Sequence, residues 1–313
     1  MPLTHHPNGV SSFGIPLIGA GPILPFRGNY WFVDPTNGSD GNVGSADAPF
    51  QTLGQAQLAA VANNNDVVFF SGTMHISATL AWAKNWVHLI GLAAPGANQR
   101  ARISPAATAT VFTPMVNVTG QGCMFANFST FTGFASNTAQ VCWAEAGGRN
   151  YYSNVTFQGG GDATAAAHAG MRSLTVGAVG ENRFVECTIG LDTIVRATGN
   201  NASLEFLNHT PRNRFEDCVF QALVSNAADL HVLAASGSID RYALFKRCTF
   251  LNSIDSTGTA MSVAFTVNAS AGGSVLLQEC TSVGATVYAT TGPIYVMGSV
   301  PTGATSGLAV AAT

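Results

Sequence analysis

The apolar positions of this chain return in a fixed pattern through its second half. Four segments superpose: Asn182–Ile189 (NRFVECTI), Asn213–Phe220 (NRFEDCVF), Ala243–Phe250 (ALFKRCTF) and Val275–Ser282 (VLLQECTS). Their cysteines, Cys187, Cys218, Cys248 and Cys280, lie 31, 30 and 32 residues apart. Two earlier segments, Phe125–Thr130 and Tyr152–Phe157, fit more loosely, with Phe128 and Val155 in the cysteine position.

Each segment holds three apolar columns. Phe184, Phe215, Phe245 and Leu277 form the first, the cysteines the second, and Ile189, Phe220 and Phe250 the third. A spacing of two between the second and third columns is that of alternate strand residues facing one way. A spacing of three between the first and second, with two polar residues inside it, predicts a strand bent around a corner. Asn127 and Asn154 stand at the second corner position, where a left-handed backbone is required and asparagine tolerates it. Stacked coils would place members of a column about 4.8 Å apart.

Further strands fall at similar intervals. Asp192–Arg196, Leu230–Leu233 and Val263–Val267 read as one wall, and Ser203–Phe206, Arg241–Leu244 and Ser274–Leu277 as another. Polar, Gly-rich connections without helical crossovers exclude an ordinary α/β sheet and predict a solenoid with three strands per coil. Gln51–Ala62 is the one helical stretch, with Leu53, Ala56, Ala60 and Val61 near one face. It is expected to plug the N-terminal end of the core, where open strand edges invite aggregation.

These residues resemble the right-handed parallel β-helix of pectate-lyase-like proteins. The corner motif carries the likeness, together with the entry stretch Tyr30–Asn42, Pro49–Leu53 and the strands Asp66–Phe70 and Val87–Gly91. It covers about residues 30–285. The resemblance implies an all-β fold, a capping helix over 51–62, and extended arms at 1–29 and 286–313. It is specific for fold and nearly silent on function.

Charge narrows the field of functions. Only 9% of residues are charged, 13 basic and 16 acidic, for a net charge of −3, so there is no footprint for nucleic acid. Residues 1–26 carry no Lys, Arg, Asp or Glu, and Gly and Pro break their apolar run, so no secretory leader is expected. No apolar stretch is long enough for a membrane helix. The cysteine spacing fits neither a metal site nor a disulfide scaffold, so the thiols read as small core residues of a chain made in a reducing cytoplasm.

The leader contains Phe13, Ile15, Leu17, Ile18, Ile23, Leu24 and Phe26, each costing roughly 1.5–3 kcal/mol if left in water. Two readings stand: an arm that docks on another protein, or a strap folded back on its own solenoid. The last 34 residues, 280–313, also lack charge. Pro293–Met297 reads as a final strand, and Gly307–Thr313 either caps the open end or packs on symmetry mates.

No catalytic residue, cofactor site or metal site is singled out. A glycosidase of this fold needs two carboxylates about 5–9.5 Å apart. The densest acidic set, Glu186, Glu216, Asp217 and Glu279, is interleaved with Lys246 and Arg247, and reads as a salt-bridge ladder. Asp34, Asn37, Asp40, Asn42 and Asp47 read as turn residues rather than calcium ligands. His75, His88, His168, His209 and His231 are scattered. Trp31, Trp82, Trp86 and Trp143 are expected in the core, although sugar stacking is open to them.

The resemblance extends to the β-helix proteins of tailed-bacteriophage particles, where short arms hold a stiff solenoid to the shell or tail. It implies a non-enzymatic virion protein: a homotrimeric head decoration or cement protein docked on the major capsid protein or another virion protein. The alternative is a tailspike-like β-helix that binds or cleaves host-surface polysaccharide. A free polysaccharide lyase is a third class, disfavoured by the sparse acids.

Overall fold

The computed structural model describes residues 28–93, 101–253, 258–289 and 291–297, together with the backbone pairing of Ser11–Ser12 with Ile15–Pro16. Apart from that antiparallel pair, every paired strand runs parallel to its neighbours, and the strands wind into a β-helix with three walls.

The first wall begins with Tyr30–Val33, Asp66–Phe70 and Val87–Gly91 and ends with Gly273–Gln278 and Ile294–Met297. In between run the first halves of Met124–Phe131 and Tyr151–Gln158, then Arg183–Val185, Thr210–Glu216 and Ile239–Lys246. The second wall follows each corner, from Thr73–Ile76 and Arg102–Pro105 to Thr249–Asn252 and Thr281–Val283. The third is a seven-stranded sheet from Leu80–Trp82 to Phe265–Val267.

The three predicted columns are rungs of one spiral. Phe125, Tyr152, Phe184, Phe215 and Phe245 stack ring on ring inside it, with centroids 4.8, 4.5, 4.6 and 4.9 Å apart and planes within 10°. Each such pair contributes about 0.5–1.5 kcal/mol beyond burial. Phe220 and Phe250 stack at 4.8 Å in the third column.

Two corners flank the first wall, and both are left-handed. Its exit corner holds Asn127, Asn154, Glu186, Asp217, Arg247 and Glu279, with φ between 51° and 63°. Its entry corner holds Asn65, Trp86, Gly122, Arg149, Glu181 and Arg212, with φ between 49° and 67°. The third corner, between the second and third walls, has no fixed length. It takes three residues between Ile76 and Leu80 (77–79) but thirteen between Gln158 and Arg172 (159–171).

Two expected walls are corrected by the pairing. Ser203–Phe206 pairs with Leu230–Ala234, while Arg241–Leu244 and Ser274–Leu277 belong to the first wall. Asp192–Arg196 ends a second-wall strand. The strand Thr188–Arg196 shifts register between Leu191 and Arg196, and Thr210–Glu216 shifts between Pro211 and Asn213, so sequence intervals do not carry across these coils.

The helix is shorter than expected, Leu53–Ala59, because Ala60 already has an extended backbone (ψ 147°). Thr52 caps it by accepting from Gln55 N–H at 3.1 Å. Leu53, Ala56 and Ala60 enter the core, whereas Val61 is 52% exposed.

Candidate functional site

The cysteine column lies where its spacing placed it. Cys187, Cys218 and Cys248 are buried and Cys280 is half-buried, all as free thiols. Cys218 lies within hydrogen-bonding reach of the thiols above and below it, and its burial pushes its pKa well up. Cys123 and Cys142 are likewise pushed up to about 12 by burial. Cys123, Cys142 and Cys218, held as buried thiols, pack as small apolar side chains.

The side chains of Phe13, Ile15, Leu17, Ile18, Ile23, Leu24 and Phe26 lie outside the described residues, as does the tail 298–313. The predicted acidic ladder is present but differently paired. Arg247 grips Asp217 with two bonds of 2.7 and 2.6 Å, whereas Glu216 pairs with Arg183 at 3.1 and 2.8 Å and not with Lys246. Glu181 bridges Arg149 and Arg212 at 2.8 and 2.7 Å. The entry acids hold turns: Asp34 accepts from Thr36 and Asn37 N–H, and Asp40 from Gln51 and Thr52 N–H. Trp82 and Trp143 are fully buried, but Trp86 is 46% exposed at the left-handed entry corner, against expectation.

Along the outside of the first wall, one register column runs Phe32, Phe69, Ile90, Ala126, Ser153, Val185, Glu216, Lys246, Gln278, Met297. Its near stretch is a second apolar cluster: Phe32, Val67, Phe69, Ile90 and Ala126 are buried, with Tyr30 packed against them. Its far stretch is charged and wet. Beside the near cluster, His88 accepts Met124 N–H on Nδ1 at 2.9 Å, and burial pushes its pKa down to about 4. Asp66 fixes the start of the wall by accepting from Asn29, Trp31, Val61 and Asn64. Burial raises its pKa, but these bonds outweigh it and the net shift is downward.

A trough runs along the outside of the second wall. Its larger part, about 860 Å³, is lined by His75, Arg102, Ser104, Val111, Phe131 and Phe134, among others. A smaller part of about 320 Å³ shares Arg102 and Phe131 and adds Gln158, Asp192 and Gln221. The Arg102 guanidinium sits 4.4 Å over the Phe131 ring, and its buried Nε has no partner. Asp192 is the one acid among the described lining residues, so no carboxylate pair converges there.

Sequence reasoning missed the interior polar groups. Glu145 lies in the core, bonded to Tyr152 Oη, Asn150 Nδ2 and Gly148 N–H, and burial raises its pKa to about 7. Asn150, Asn182 and Asn213 form a buried ladder through Oδ1, with links of 3.0 and 3.2 Å. Their common position two residues before the ring column was the available signal. Deeper along the spiral, Arg196 is buried against Ser203 Oγ (2.9 Å), and burial lowers its pKa to about 10. Near it, burial raises Asp229 to about 6 and lowers His231 to about 3. No helix of the described residues is long and apolar enough to cross a membrane.

No protein-family model matches the chain, and no curated protein sequence matches it. Solved structures do. A rhamnogalacturonan lyase is 16% identical over 83% of this chain and 69% of its own, with a TM-score of 0.60. The pectate lyase Pel9A is 15% identical over 86% of this chain and 68% of its own, with a TM-score of 0.58. ORF18 of Geobacillus virus E2 is 12% identical over 85% of this chain and 60% of its own, at a TM-score of 0.48 that carries no argument. Together with the stacked rungs, the first two likenesses identify the architecture: the chain has the fold of the pectate-lyase-like right-handed parallel β-helix proteins.

Proposed function

We propose that this chain is a structural protein of a bacteriophage particle: a trimeric decoration or cement protein of the head, docked on the major capsid protein or another virion protein through its N-terminal arm. The observation that carries this reading is how the described carboxylates are used. Asp34 and Asp40 hold turns, Glu181, Glu216 and Asp217 tie rung to rung, and Asp66 and Glu145 are buried among donors. Acids placed in this way stiffen a solenoid rather than attack a substrate. The far stretch of the first wall presents both signs, Arg183 and Arg214 beside Glu216 and Lys246, which suits contact between identical copies. Cryo-electron microscopy of purified particles tests the reading. Solenoid density on the head shell is expected; a tail location removes the decoration role, and absence from particles removes the virion reading.

The trough favours one second reading, a tailspike-like glycan-binding role. His75, Arg102, Ser104 and Phe131 line it together, a mixed polar and aromatic lining of the kind that suits a sugar. Titration with host-surface polysaccharide distinguishes the two. Binding that is lost in Arg102→Ala supports the glycan reading; no binding leaves the shell role.

A further inference from the structure

The outer apolar cluster of the first wall is covered, and this has to be explained. A strand face open to water leaves its side chains partly wet, as Val185, Leu244 and Leu276 are further along the same wall. Phe32 and Phe69, facing the same way, are only 8% and 5% exposed, and Val67 and Ile90 1% and 3%. The cover therefore comes from elsewhere in this chain. The entry loop accounts for the end of the solenoid rather than this face: it is tied to the edge of the first rung by Phe32 N–H to Gly44 O and turns Phe50 inward onto Trp31.

The position of the leader's root points to what covers the cluster. Asn29 is held at the edge of the cluster by Asp66, which accepts its N–H at 2.7 Å, and by Val67, which donates to its carbonyl at 2.9 Å. Residues 1–27 thus leave the solenoid beside Tyr30 and Phe32. Their first 26 residues carry no Lys, Arg, Asp or Glu and include Phe13, Ile18, Leu24 and Phe26. The cluster itself is equally free of charge, the Asp66 carboxylate at its edge being met by its own donors, and the ion pairs of the wall begin only beyond it. Apolar chain and apolar face match in chemistry, and they start at the same point.

We infer that the outer face built from Phe32, Val67, Phe69 and Ile90 is the seat of the chain's own leader, residues 1–27. The inference concerns the free protein. If the leader also anchors the protein to a shell, as proposed above, it exchanges this seat for an apolar surface on the neighbour.

Hydrogen exchange on the full-length protein tests this without any particle. Amides across residues 10–26 are expected to exchange about tenfold or more slowly than in an open chain. Phe69→Asp should abolish that protection while amides of 213–278 stay protected, which reports an intact solenoid. Ile90→Thr is the milder variant should Phe69→Asp unfold the chain, and it should weaken protection of the leader in the same way. Open-chain exchange of the leader in the unsubstituted protein overturns the inference. So does leader protection that both variants leave intact, or protection that vanishes on dilution, which would assign the seat to a second copy. None of these outcomes bears on where the protein sits in a particle, so the two readings fail separately.

Discussion

The near and far stretches of the first wall share an inner surface and differ outside. Within, both carry the same column, from Leu89 and Phe125 through Phe245 to Leu277. Outside, the near rungs present Phe32, Phe69 and Ile90, and the far rungs Arg183, Glu216 and Lys246. The exit corner changes in step: Asn127 and Asn154, linked at 2.8 Å, give way to Glu186, Asp217, Arg247 and Glu279. A repeat therefore fixes what faces the core and leaves the outer face free to vary. The near stretch spends that freedom on a second buried layer and the far stretch on solvated ion pairs.

The sharpest way to break this contrast is Phe69→Ala. If the near outer face is a true interior, the substitution costs about 3–5 kcal/mol, the range for a buried Phe, measured by denaturant unfolding. A loss below about 1 kcal/mol would make that face ordinary surface.

The coil where the stretches meet tests the inside. Glu145 keeps its proton in the fold up to about pH 7, against an ordinary 4.5. Its folded pKa is the higher one, so the fold is favoured at low pH and loses stability as pH rises from about 4.5 to 7. The loss is on the order of 3 kcal/mol for a shift of that size. Glu145→Gln should flatten this slope between pH 5 and 8, with a residue left below pH 6 from Asp229, whose shift has the same sign. His88 and His231 act oppositely: held neutral in the fold, they lower stability as pH falls below about 6.5.

Glu186→Asn carries the near-stretch corner residue into the far stretch. It should stabilise by about 1 kcal/mol, because asparagine adopts a positive φ more readily than glutamate. The smallest effect belongs to the far stretch itself. A double-mutant cycle on Arg183 and Glu216 should return at most about 1 kcal/mol, falling in high salt.

The inner columns were legible because each member recurs at one sequence interval. Phe184, Phe215 and Phe245, and the cysteines with them, keep nearly one interval because a longer second-wall strand in the first coil, Thr188–Arg196 against Val219–Val224, is offset by a longer entry corner in the next. Asp192–Arg196 was misassigned because its strand shifts register between Leu191 and Arg196 and runs on in the second wall. The outer cluster had a signal that alternation would have exposed. Asp66–Phe70 and Val87–Gly91 are buried at every position, and a strand apolar on both faces is covered on both. Glu145 was not legible, because it takes an otherwise apolar place in the third-wall column of Val118, Val176 and Phe206, and its partners Asn150 and Tyr152 come from the following corner and strand.

The third corner has a practical consequence. Its loops already range from three to thirteen residues while the rungs on either side keep their pairing. The winding is thus indifferent to how much peptide hangs from that edge. Foreign segments grafted there would be displayed one above another at rung spacing along one side of the solenoid.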